Sequence, residues 1–225
     1  MIVACSQPYF APFPGFFYKI YRADVFVILD SVQFPRGTTW ISRNRFKNDK
    51  GTLWLTVPVK KKGLGLQRIN AVKIYHDGRW ERKHLQSLKT AYAHAPYFKE
   101  HRALVEQMFE PERLVDLNLH IIHYILDYLG ISTRIVLLSE LDIDGRGTVL
   151  LLRICKALGA SDFLVQKAAA KYLQLEQFEN EAIRLHFTNY PKLVYPQLWG
   201  DFIPNLSILD LIFNCGPKSF EILLG

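Results

Sequence analysis

An α/β fold, built on an open and mainly parallel sheet with flanking helices, is the class this sequence predicts, and three observations predict it. Residues 25–29, in ADVFVILD, form an unbroken run of β-branched, aromatic and aliphatic side chains, the composition of a strand covered on both faces. The last third of the chain alternates strand patterns with helix patterns, the order that parallel sheets with crossovers require. Of the 225 residues, 49% are hydrophobic, enough for the core of one large domain over residues 1–225.

The elements follow in order. Residues 2–6 read as a buried strand, followed by a loop rich in proline and aromatics and an apolar stretch over 16–21. After the strand at 25–29 a polar loop fills 33–51. Two strand-like runs, 53–59 and 71–75, joined by KKKGLGLQR, predict a hairpin insertion around 52–75. Helical patterns occupy 79–94, 97–109 and 113–129, with Pro96 dividing the first two, Pro111 opening the third and Gly130 closing it. The alternating region then predicts strand 134–138, helix 148–158, strand 163–166, a short helix near 168–178 and strand 183–187. An Asn205/Ser207 start announces a final apolar helix near 207–213.

Composition narrows the function classes. No apolar run approaches the roughly 18 residues that cross a bilayer, so no membrane span is expected. The amino terminus MIVACSQPYF carries no basic leader before its apolar residues, which predicts a cytoplasmic protein. Cys5, Cys155 and Cys215 have no close spacing and are expected reduced, with Cys5 and Cys155 as small buried hydrophobes. His120 and His123 share a helical face but lack a carboxylate to complete a metal set; they are expected to be partly buried structural histidines, and no metal site is predicted. The net charge is +7, yet residues 36–89 hold 14 Lys or Arg against 3 Asp or Glu, a local +11 that points to one face or loop meeting an anion. Nucleic acid, phosphate and carboxylate all satisfy that requirement.

Candidate site residues come from strand ends and polar clusters. In open α/β sheets ligands bind beyond the carboxyl ends of the strands. The loop QPYFAPFPGFF follows the first strand, so Gln7, Tyr9 and Gly15 are candidate substrate contacts, with Gly15 permitting close backbone approach. Asp30 ends the second strand, where a carboxylate can accept from a sugar hydroxyl, hold a cation or act as a base, and Gln33 follows it. Arg43, Asn44 and Arg45 form the densest polar cluster, flanked by Arg36 and Lys47, and arginine suits a bidentate grip on phosphate or carboxylate. Lys60, Lys61 and Lys62 read as decoration of a hairpin turn. His84, on a face with Trp80 and Leu88, is a candidate proton carrier. Near the carboxyl end, Gln197, Asn205, Asp210 and Asn214 sit in an aromatic-rich span, the last two one helical turn apart.

The segments QPYFAPFPGFFYKIYRADVFVILDSVQF, WISRNRFK, HAPYF, LGASDFLVQKAAAKYL and YPQLWGDFIPNLSILDLIFNCG, in this order along the whole chain, resemble the WbqC-like family. The resemblance implies a bacterial protein encoded among genes for O-antigen lipopolysaccharide and related polysaccharides, and a transferase that adds glycine or another acyl or amino-acid group to a sugar. It carries over no catalytic residue and names no cofactor. The opening strand, loop and ADVFVILD also resemble the start of the nucleotidyltransferase-like α/β superfamily, a Rossmann-like layout, but FAPFPGFF lacks the histidines of that superfamily's HxGH motif. Together these readings predict a transferase on a nucleotide- or phosphate-linked sugar. Gln7 and Asp30 would position this small anionic substrate, Arg43 and Arg45 would hold its charge and His84 would move a proton, all around one hollow. The alternative is a non-catalytic anion- or nucleic-acid-binding protein using residues 36–89; recognised nucleic-acid motifs are absent, which ranks it lower.

Overall fold

The computed structural model describes residues 1–225 apart from Ala168. The chain opens with β1 (Ile2–Ser6), α1 (Pro14–Tyr21) and β2 (Val25–Ile28), then forms an antiparallel hairpin from β3 (Arg43–Asn48) and β4 (Gly51–Thr56). Helices α2 (Trp80–Tyr92), α3 (Arg102–Gln107) and α4 (Leu114–Leu129) follow. The chain then resumes alternation with β5 (Arg134–Leu137), α5 (Gly147–Leu158), β6 (Asp162–Gln166), α6 (Leu175–Asn180) and β7 (Arg184–Thr188), and ends in α7 (Ile208–Cys215) and α8 (Ser219–Leu224).

Five strands form one sheet in the order β5-β2-β1-β6-β7, every neighbour parallel. All four residues of β2 are buried, as its continuous apolar run requires. One face carries the larger core, with Phe16, Phe17 and Ile20 of α1, Ile121, Ile122 and Ile125 of α4, and most of α7. The other face is covered by α5 and α6 through Leu150, Ile154, Cys155 and Phe178. Each fully buried aliphatic or aromatic side chain in these layers contributes about 1.5–3 kcal/mol. All three cysteines are buried free thiols, and burial pushes Cys155 up to about 12 and Cys215 up to about 11.

Crossovers leave β1 and β6 toward opposite faces, so the strand order reverses between them. Their pairing ends at Ala4 and Leu164, while β6 stays paired with β7 out to Gln166 and Thr188. Beyond that parting the carbonyl of Cys5 accepts from the buried ammonium of Lys19, at 2.8 Å. Such a parting is the crevice in which open α/β sheets bind ligands.

The hairpin lies at 43–56, not around 52–75. Residues 53–56 pair backward with 46–43, and only the isolated bridge between Val59 and Ile74 joins the two runs expected to pair. The turn Asn48 to Gly51, with Gly51 at φ +100°, closes this hairpin and is a stronger reversal than KKKGLGLQR. Basic side chains in RNRFKN conceal a strand whose alternate members are buried. Residues 60–66 therefore form an exposed arm rather than a hairpin turn.

Helix ends follow their signals. Gly130 and Gly159 close α4 and α5 in the left-handed region, and Ser207 Oγ accepts from Leu209 N–H to cap α7. The short helix expected near 168–178 is a 3-10 turn, Lys167–Tyr172, followed by α6; its first residue, Ala168, lies outside the described residues. His120 and His123 are exposed on α4, correcting the expectation of partial burial: the buried stripe of that helix runs through its Leu and Ile positions instead.

Candidate functional site

Two hollows lie beside the loop that follows β1. The larger, a cleft of about 760 Å³, opens over the carboxyl ends of β1, β2 and β5, where Gln7, Leu29, Gln33 and Leu138 line it. Its far wall is the β5–α5 connection, Ile143 to Gly147, with the first turns of α5; the end of the arm and the two residues after it contribute Leu66, Gln67 and Arg68, and Tyr172 also lines it. Gly147, at φ +54°, turns the chain into α5, which starts without a side-chain cap. The positive end of the twelve-residue helix α5 thus joins the guanidinium-bearing residues Arg68 and Arg146 on this wall. Arg68 lies 3.6 Å from Asp144, with both side chains well exposed, so this ion pair joins the two lips and is weak.

The second hollow is a basin of about 470 Å³ whose walls are Tyr9, Phe13, Trp40 and Tyr190, with Asn44, Arg45, Gln166 and Asn205 as polar members. Arg45 reaches it from β3, its Nη2 donating to the carbonyls of Asn205 (3.0 Å) and Pro204 (3.3 Å) and its guanidinium 5.8 Å from the Trp40 ring centre. Trp40 stacks toward Trp54, and Arg43 lies 3.9 Å over Trp54, giving a ladder of two indoles between two guanidiniums. No carboxylate pairs with either arginine among the described residues. Gly15 sits behind the basin, where a Cβ would collide with the Phe13 ring and meet Tyr190 at 3.0 Å.

The expected convergence of Gln7, Asp30 and Arg43 around one hollow is not formed. Gln7 and Gln33 line the cleft; Tyr9, Asn44, Arg45 and Asn205 line the basin. Arg43 lines neither. Asp30 is buried, its carboxylate accepting from Ser139 N–H (3.0 Å) and Asn70 Nδ2 (3.4 Å), so it ties the end of β2 to the end of β5. Hydrogen-bond demand at a buried strand end draws this carboxylate inward. His84 Nε2 lies 2.8 Å from the Thr56 carbonyl, with Trp80 and Phe109 against its ring, and burial lowers its pKa. It fastens α2 to β4.

The carboxyl-terminal candidates form a buried hub. Asp210 accepts from Tyr92 Oη and Tyr195 Oη, each at 2.8 Å, and Asn214 donates to the Asp210 carbonyl rather than into a crevice. Burial raises the Asp210 pKa, against the two hydroxyls and Lys47, which lower it. Gln197 accepts from Lys47 Nζ and Ile203 N–H and donates to the Ile203 carbonyl, bracing the 197–203 turn. Asn44 is also engaged, donating to the Phe10 and Ala11 carbonyls and accepting from Arg45 N–H.

The charge of residues 36–89 does not form one stripe. Lys47 is buried against Asp201 and Gln197, Lys89 pairs with Glu106, Arg43 and Arg45 stack on indoles, and Lys60, Lys61 and Lys62 stand on the arm. At the opposite end of the sheet Ser161, Asp162 and His186 lie together, but Ser161 Oγ donates to Asp162 and not to the imidazole, so His186 is not placed to activate that hydroxyl. Ser161, His186 and Arg184 hold the Asp162 carboxyl well below the usual carboxylate range. Among the described residues no group of three His, Cys, Asp or Glu is arranged to hold a metal, and no helix is long and apolar enough to cross a membrane.

Sequence reasoning missed Gly145, Arg146 and Gly147, the wall of the cleft. The signal was present: a Gly-x-Gly between a strand and a helix, here after the fifth strand rather than the first. The aromatic walls Phe13, Trp40 and Tyr190 left no such mark, because they come from three distant segments.

Comparisons with known proteins give one consistent result. The family model of the WbqC-like protein family matches residues 7–222. The chain is 33% identical to an uncharacterized protein of Mycobacterium tuberculosis over 226 aligned positions, covering 98% of this chain and 96% of that protein. No solved structure matches.

Proposed function

The chain belongs to the WbqC-like protein family, and on that premise we propose that it is a transferase acting on a nucleotide- or phosphate-linked sugar in surface-polysaccharide synthesis, adding an amino-acid or other acyl group. The observation that carries this reading is the cleft at the strand ends, walled by the uncapped start of α5 together with Arg68 and Arg146. Helix N-terminal amides and arginine together are the ordinary chemistry of phosphate recognition. The phosphate rests against that wall; Gln7 and Gln33 meet sugar hydroxyls. The adjoining aromatic basin supplies flat apolar faces and the Arg45 guanidinium for the second reactant. The convergent-site reading built on Asp30, His84 and Arg43 is set aside, because those side chains serve packing and hydrogen bonds elsewhere.

Calorimetric titration with UDP-sugars, UDP and pyrophosphate tests the proposal. Binding is expected, with affinity falling on the order of tenfold or more in Arg146→Ala, the usual cost of a charged hydrogen bond. The melting temperature should hardly move. Absence of binding by every probe, or an unchanged affinity in Arg146→Ala, overturns it.

A further inference from the structure

The arm 60–66 has a composition at odds with a solvated loop. Every residue from Lys60 to Leu66 is exposed, and among them Leu64 and Leu66 stand 52% and 56% exposed. Gly63 and Gly65 both adopt left-handed φ, +76° and +61°, so the backbone reverses repeatedly beside these leucines instead of folding them against the core. Three consecutive lysines precede them, and the stretch from Lys50 to His76 contains no Asp or Glu. The arm is anchored rather than loose at its base: Lys61 lies 5.2 Å over the Phe34 ring and donates to the Arg36 carbonyl.

A second segment at the cleft, residues 167–172, repeats the pattern. Tyr172 is 74% exposed, with Lys171 Nζ 4.9 Å over its ring, and Lys167 is exposed nearby. Leu66 and Tyr172 both line the cleft, and each is preceded within a few residues by exposed lysines. Exposed leucines bordered by lysines, with a tyrosine beside them, are the chemistry of a surface that meets lipid: apolar side chains enter the acyl boundary while ammonium groups meet anionic headgroups. A soluble acidic partner would satisfy the lysines and leave the leucines in water.

We infer that the rim of this cleft, chiefly the arm 60–66, docks on an anionic membrane surface. The charges are complementary to that occupant, and the arm needs no rearrangement of the core to reach it. Docked in this way, the cleft mouth opens onto the headgroup layer. The inference stands apart from the transferase reading, since vesicle association and nucleotide-sugar binding are separate measurements.

Co-sedimentation of the full chain with phosphatidylcholine vesicles, with and without phosphatidylglycerol, tests it. Association is expected with the mixed vesicles and not with phosphatidylcholine alone. The Lys60→Ala/Lys61→Ala/Lys62→Ala variant should weaken it on the order of 100-fold, following the usual contribution of each basic residue near an anionic surface. The Leu64→Ser/Leu66→Ser variant should weaken it about tenfold through lost apolar burial. All five positions are exposed, so circular dichroism should match the parent chain. No association with mixed vesicles overturns the inference, as does an affinity that the leucine substitutions leave unchanged. A dimer in solution that these leucine substitutions dissolve would also overturn it, because a second copy would then be the occupant.

Discussion

The cleft and the Asp210 hub hold polar residues in opposite ways. In the cleft, Arg68 and Asp144 are largely exposed, joined at 3.6 Å and free to exchange partners. In the hub, Asp210 is fully buried and both its oxygens accept tyrosine hydroxyls at 2.8 Å. Density of polar residues along the sequence is therefore no guide to a hollow: the hub's polar groups are consumed by buried partners, while those of the cleft face solvent. Both regions contain an aspartate and neighbouring cations, yet only one opens into a hollow.

The contrast breaks most sharply at Asp210. Asp210→Ala leaves two buried hydroxyls without their acceptor and should cost about 3–5 kcal/mol, lowering the melting temperature on the order of 10 °C. Calorimetric affinity for a UDP-sugar, measured well below that transition, should stay the same; a lost affinity with an unchanged melting temperature would reverse the roles of hub and cleft.

His101, buried beside Tyr124, Tyr128 and Phe213, gives the next largest effect. Burial holds its pKa down at about 4. Its folded value is depressed below the ordinary value of about 6.5. The unfolded chain therefore binds a proton first on acidification, and stability present above pH 6.5 falls as pH drops toward 4, by about 1.4 kcal/mol per unit. Urea unfolding at several pH values should show that slope, and His101→Gln should flatten it.

Gly15→Ala sharpens the boundary between cleft and basin. The added methyl meets Phe13 and Tyr190, so overpacking should cost about 1–3 kcal/mol and disturb the basin walls. Phosphate-probe affinity in the cleft should not follow. The smallest stability effects belong to the lips: Arg68→Ala and Asp144→Ala should each change stability by less than about 0.5 kcal/mol. Their effects on pyrophosphate affinity should have opposite signs, weaker without the guanidinium and tighter without its competing carboxylate. Equal signs would remove the cleft from anion binding.

Much of the fold was legible in the sequence because hydrophobic runs have few ways to be buried. ADVFVILD had to be a covered strand, and α4 and α5 end at Gly130 and Gly159, where a left-handed residue stops a helix. The hairpin was misplaced because the basic residues of RNRFKN hide a strand whose pairing depends on the turn at Gly51. The candidate cleft was only half legible. Gln7 and Gln33 could be placed at strand ends from topology, and both line the cleft. Asp30 occupies an equivalent position, but its carboxylate turns toward Ser139, a residue 109 positions away.

By itself the sequence determined the parallel α/β class, the strand ends at which a crevice must form and the excess of cations in one segment, since these follow from local periodicity and residue type. Tertiary structure alone decided which polar side chains face that crevice. Hydrogen-bond satisfaction is a property of neighbours in space: Asp30, Asn44, Gln197 and Asp210 are claimed by backbone and side-chain partners from distant segments. Arg68 and Arg146, unremarkable in sequence, are brought to the cleft by the segment after the arm and by the start of α5.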